Sequence, residues 1–135
     1  MNNIYTLQIL LSGFIIGIII FQSAIAAPIV FSSLKPDQSR IFIRSVFPKI
    51  FRLLYCIGLI MIISNLLFDL NSQIQLVVAS INFILPLICA LMVPATNNAT
   101  DSNNTKKFKL LHLLSVILTM IVLVVNIIWP FFILI

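Results

Sequence analysis

The chain has 135 residues, 61% of them hydrophobic and 8% charged, with a formal net charge of +5 and a mean hydropathy of +1.22. Soluble domains run about 45–50% apolar and about 25% charged, so a water-soluble globular domain is excluded. A membrane span takes about 20 apolar residues, so four spans use roughly 80–95 residues and leave only connections. The arithmetic predicts an all-α fold, a polytopic membrane protein with four transmembrane helices in a single bundle and no room for a soluble domain.

The first apolar run covers residues 7–34. Its start resembles a secretory signal, because Ala24-Ile25-Ala26 before Ala27 has the small-residue pattern of a cleavage site. No Lys or Arg precedes the apolar stretch, however, and the segment is expected to remain as span one. Within it Gly13 and Gly17 form a G-x-x-x-G pair, extended by Ala24 and Ala27, which suits close approach of a neighbouring backbone. Gln22 points about 180° away from Gly13 at the helical period. Span one is therefore expected to pack on both faces, either at the centre of the bundle or against a second copy.

Residues 35–49 form the first connection. After Pro36-Asp37, a suitable helix start, the stretch 37–47 interleaves Ile41, Phe42, Ile43, Val46 and Phe47 with Arg40 and Arg44. It predicts a short interfacial helix, with Arg40, Arg44, Lys49 and Arg52 as candidate contacts to anionic lipid, each worth roughly 1 kcal/mol near such a surface. A solvated loop with orienting charges is the alternative. Spans two, three and four follow at residues 50–70, 74–94 and 108–129, joined by residues 71–73 and 95–107.

All eight basic residues lie in or beside the first and third connections; the chain start, the second turn and the tail carry none. Under the positive-inside rule both termini face away from the cytoplasm, with the plasma membrane of a bacterial cell as the expected location. Trp129 and Tyr5 then mark the outer interface. The sequons at Asn98 and Asn103 fall in a cytoplasmic connection and are expected to be plain loop residues.

Each span carries an amide: Gln22, Asn65, Asn82 and Asn126. Counted from the span ends, the three asparagines fall in the outer half and Gln22 in the inner half. On span four His112, Ser115, Thr119 and Asn126 occupy an arc of roughly 60° at about 100° per residue. Polar groups in spans rarely face lipid, so this stripe is expected to face inward, toward Asn65 and Asn82. It lines either a hydrogen-bonded seam or a wet cleft with His112 titrating at its mouth.

No catalytic, cofactor or metal site is expected. The chain has one His, two Cys, three Asp and no Glu, too few groups for a closed metal site or for a nucleophile, base and orienter set. Cys56 and Cys89 lie in apolar runs and are expected to be buried small hydrophobes.

Ala27-Pro28-Ile29-Val30-Phe31 near the end of span one, Val46-Phe47-Pro48 before span two, Val93-Pro94-Ala95 closing span three, and Phe108 with Leu111-His112 and Ser115 opening span four together resemble the domain-of-unknown-function 4149 family, which includes proteins similar to transmembrane protein 205. The family pattern often has Asn shortly after the His and Ser, where this chain has Thr119. The resemblance implies a four-span integral membrane protein with no established biochemical activity. A structural or accessory membrane component, not an enzyme, is the expected function, and a transporter or channel for a small solute or metal ion is the alternative. The expected partners are the lipid bilayer and a second copy or another membrane protein, with no nucleic acid.

Overall fold

The structure, a computed structural model, describes residues 3–68 and 72–134. Helix α1 (Asn3–Ile20) passes through a π-helical turn (Phe21–Ala26) into α2 (Ala27–Ser33), and together they make the first span. Then come α3 (Pro36–Leu67), α4 (Gln73–Asp101), α5 (Thr105–Ile128) and the short α6 (Phe131–Leu134), with no strand among the described residues. Four helices are long and apolar enough to cross a membrane. The end of the expected second span at Asp69 and Leu70, and residue 71 of the turn 71–73, lie outside the described residues.

The π turn has a local cause. Pro28 has no N–H for the Ala24 carbonyl, and its ring would crowd that carbonyl in a regular α-helix. The backbone widens just before it, with the Ala27 N–H donating to the Gln22 carbonyl five residues back. At the following corner Ser39 Oγ lies 3.2 Å from the Val30 carbonyl and 3.1 Å from the Lys35 carbonyl, so one hydroxyl ties the end of α2 to the start of α3. The Lys35 N–H donates to the Gln38 side chain, 3.2 Å away, and caps α3. The other corner turns on Asn103, which takes a positive φ of 53°, as asparagine tolerates. Asn104 then caps α5 by accepting from the Lys107 N–H at 3.0 Å.

The segment 37–47 is helical, as expected, but it is not a separate interfacial helix. It continues through Pro48 into span two as part of α3, whose 32 residues run about 48 Å at 1.5 Å per residue. The reason is tertiary: Arg44 donates to both carboxylate oxygens of Asp101 and, at 3.3 Å, to the Asn97 carbonyl, which clamps this stretch along the end of α4. Spans three and four likewise start or end beyond their apolar runs, at Asp101 and Thr105.

Helix α3 packs antiparallel on α4, and the two backbones come close at Gly58. A Cβ built there would stand 2.5 Å from both the Asn82 carbonyl oxygen and the Phe83 nitrogen. Pro86 explains why this carbonyl is available, since the proline lacks the N–H that would otherwise occupy the carbonyl four residues back. The pairing of Gly58 with Asn82, and of Arg44 with Asn97 and Asp101 at the other end, defines the register. Helix α5 lies against α4 on one side and α1 on the other, with Ile15, Ile19, Leu54, Met61, Val78 and Val122 in the core.

Between its ends the outer surface is largely apolar, including Phe14, Phe21, Leu53, Leu91, Leu113 and Val124, while Gln8, Ser12, Ser64, Gln75, Asn82 and Asn126 are buried. A surface of that composition is stable against hydrocarbon and unstable against water. Burying the amides follows the same logic, because polar groups at membrane depth turn toward protein.

Candidate functional site

The buried polar side chains concentrate at the end of the bundle that carries no basic residue. At its base, Asn82 of α4 and Asn126 of α5 form a reciprocal amide pair. Asn82 Nδ2 donates to Asn126 Oδ1 at 3.0 Å, and Asn126 Nδ2 donates to Asn82 Oδ1 at 2.6 Å. Asn126 Nδ2 also reaches the Val122 carbonyl at 2.7 Å, and Asn82 Nδ2 lies 3.4 Å from Met61 Sδ of α3. Both residues are completely buried. Each amide donates and accepts, so the pair saturates itself without a charge.

One layer further out, α1 joins. Gln8 Nε2 donates to the Met61 carbonyl at 3.0 Å and to Ser64 Oγ at 2.7 Å, while Ser64 donates back to Met61 at 3.0 Å. Ser12, one turn along α1, accepts from Trp129 Nε1 at 2.8 Å. Trp129 is buried, so it is a core residue tied to α1 and not the interfacial anchor its position suggested; a buried indole N–H needs an acceptor, and Ser12 supplies it. Tyr5 is half-buried. Asn65 and Gln75 are buried in the same region and hydrogen-bond neither to each other nor to the asparagine pair.

Of the expected seam, Asn126 and Asn82 meet directly, whereas Asn65 is buried but bonds to neither. Ser115 and Thr119 are half-buried against α4: the Ser115 carbonyl is 3.9 Å from Cys89 Sγ and 2.7 Å from Thr119 Oγ1. The space beside Thr119, between Phe51, Pro86, Cys89 and Val122, admits no water molecule. His112 is not part of the seam. It is exposed near the other end of α5, stacked on Phe108 with ring centroids 5.8 Å apart.

Gln22 is buried, but Gly13 and Gly17 are exposed, and a Cβ at either would meet nothing within 4 Å. Span one therefore packs on one face only within the chain. The glycines floor an open apolar groove of about 430 Å³ along Leu10, Phe14 and Phe21. Of the two expected arrangements, a central place in the bundle is not the one observed: α1 contacts α3 and α5, and its glycine face meets nothing within the chain. Cys89 is buried as expected, whereas Cys56 is exposed on the outer face of α3.

At the basic end Arg40, Lys49 and Arg52 are exposed. Arg44 is committed to Asp101, and its hydrogen bond, reinforced by the charges of Arg44 and Arg40 and opposed by desolvation, holds the Asp101 carboxyl below its ordinary value. Among the described residues no three His, Cys, Asp or Glu side chains come together.

Sequence reasoning missed Gln8, Ser12, Ser64 and Gln75 because they lie near span ends, where polar residues are ordinary. Spacing held the signal: Gln75 is seven residues before Asn82 and Ser12 four after Gln8, each pair on one helical face.

These features define a four-span, all-helical membrane protein whose polar groups are turned inward. Residues 10–102 match the family described as Domain of unknown function (DUF4149), and the chain belongs to that family. The matched region takes in the quoted motifs of spans one to three and stops before α5. Neither the curated proteins nor the solved structures include a match to this chain.

Proposed function

We propose that the protein is a structural or accessory membrane component, without enzymatic activity, which acts by holding its bundle and the partners that bind it. The observation that carries this reading is the reciprocal Asn82–Asn126 pair, fully buried and self-saturated across the line a solute would follow between α4 and α5. The close packing beside Thr119 extends the same closure toward the basic end. A neutral pair of amides has no proton to exchange and no charge to attract an ion, so it suits adhesion between helices better than coupling or transport.

The test uses Ser115→Cys, Thr119→Cys and Ile121→Cys, each in a background lacking Cys56 and Cys89, probed in membranes with an impermeant and a lipid-soluble thiol reagent. A closed seam leaves positions 115 and 119 unlabelled by the impermeant reagent, while the exposed position 121 reacts with the lipid-soluble one. Labelling of both seam positions by the impermeant reagent would overturn the reading in favour of a transporter or channel for a small solute or metal ion.

The eight-to-zero partition of basic residues supports an orientation with both termini on the non-cytoplasmic side of a bacterial plasma membrane, and Arg40, Lys49 and Arg52 are then free to meet anionic headgroups. The motifs around Pro28, Pro48 and Pro94 support a place among the members of the family that are similar to transmembrane protein 205. The open Gly13–Gly17 groove supports a second copy or another membrane protein as partner, checked by the size of the complex on native gels in a mild detergent.

A further inference from the structure

Four buried polar atoms at the amide end have no hydrogen-bond partner among the described residues: Gln8 Oε1, Asn65 Nδ2, and both Nε2 and Oε1 of Gln75. Their side chains come from three helices and are deeply enclosed, with residue exposures of 0% for Gln8, 6% for Asn65 and 1% for Gln75. Buried polar groups in folded proteins almost always find partners, and each one left alone inside a membrane is destabilising. Three such residues on neighbouring helices mark a common recipient more readily than three separate faults.

The packing register places them together. Gly58 meets the backbone of Asn82, so in an antiparallel pair Asn65, seven residues beyond Gly58, stands opposite Gln75, seven residues before Asn82. Gln8 is fastened to Ser64, the neighbour of Asn65, through its Nε2, which leaves its Oε1 as the free atom. The unpartnered set holds two donors and two acceptors, none of them ionisable. Amide donors would repel a metal ion or other cation, and an anion would find no positive charge here. The complementary ligand is neutral, small enough for an enclosed space, and able to donate and accept at once.

We propose that Gln8, Asn65 and Gln75 form an internal hydration site at the non-basic end of the bundle, in which ordered water bridges α1, α3 and α4. Water bridges buried polar groups that stand too far apart to bond directly, at little loss relative to a direct hydrogen bond. The asparagine pair one layer deeper saturates itself and stays dry, so hydration stops at Asn82. The site therefore works as a wet joint between three helices, set above a dry one.

Water-selected solid-state NMR on the full-length, 15N-labelled protein in lipid bilayers tests this. Magnetisation from water should reach the side-chain amides of Asn65 and Gln75 several-fold faster than those of Asn82 and Asn126, which serve as internal dry controls in the same sample. In Gln75→Met, which keeps the length of the side chain and removes its polar atoms, transfer to Asn65 should slow, because the two share the water. Transfer to Asn65 and Gln75 no faster than to the asparagine pair would overturn the site. So would a fast Asn65 that is indifferent to Gln75→Met, because the residues would then not enclose one pocket. The wild-type comparison needs no variant to fold and decides the first point alone.

Discussion

At the non-basic end of the bundle, side chains from α1, α3, α4 and α5 meet inside the protein: Gln8 with Ser64, Ser12 with Trp129, Asn82 with Asn126. At the basic end α3 and α4 are tied by Arg44 and Asp101, whose side chains are 31% and 55% exposed. The first set is buried away from bulk solvent, so an unmade bond there leaves a stranded group. The second sits where solvent and salt weaken an ion pair. In a bundle surrounded by hydrocarbon, with little hydrophobic drive between helices, close packing and buried polar contacts are what hold the helices together, and an exposed ion pair adds little.

The largest effect is expected where backbone packing and the amide cluster coincide. Gly58→Leu places a side chain into the Asn82 carbonyl and the Phe83 nitrogen, and should lower stability by on the order of 3 kcal/mol or more, measured by reversible unfolding in bicelles. A Gly58→Leu protein as stable as the wild type would remove the α3–α4 contact as the bundle's centre.

Next come the asparagines. Asn82→Leu or Asn126→Leu alone strands a fully buried amide and should cost about 1–3 kcal/mol. The double variant should cost less than the sum of the two, because no amide then remains unpaired. Additive losses in this cycle would show that the two residues do not act as a pair.

Trp129→Phe sharpens the comparison at one further contact. It removes the donor to Ser12 and should cost about 1 kcal/mol, with Ser12→Ala adding little on top of it. Trp129 is the chain's single tryptophan, so its fluorescence should resist aqueous quenchers; ready quenching would return it to the membrane interface.

At the basic end the effects should be small and dependent on pH and salt. The carboxyl of Asp101 is held below its ordinary value by the Arg44 hydrogen bond. Its contribution is therefore present above the unfolded-state value and lost as pH falls through the lowered folded one. Asp101→Asn should abolish that acid-side dependence and lower stability at neutral pH only by the small amount that the wild type loses in acid. A loss at neutral pH matching that of Asn82→Leu would break the contrast between the ends.

The smallest effect belongs to the face that neither end uses. Gly17→Ala should change the stability of the single chain by less than about 0.5 kcal/mol, since nothing lies within 4 Å of the added carbon. A change in complex size on native gels without a change in chain stability would assign the Gly13–Gly17 groove to a partner.

Composition and apolar run length alone determined that this chain is a four-span helical membrane protein, because a chain with 8% charged residues has no other stable environment. The grouping of every basic residue around two connections was legible in the same way. Periodicity placed Asn126 and Asn82 on inward faces, since turning amides to lipid is unfavourable whatever the neighbours are.

Partnership was decided only by the tertiary structure. The G-x-x-x-G pair was the glycine feature read from the sequence; yet it is Gly58 that receives a neighbouring backbone, at the carbonyl that Pro86 leaves without its helical donor, and Gly13 and Gly17 face outward. His112 shares an arc with Asn126 but lies several turns away along α5, where the seam no longer reaches. Gln8 and Gln75 looked like ordinary polar residues near span ends until packing enclosed them. A helical period states which residues share a face, whereas the crossing of helices decides which faces, and which levels along them, come into contact.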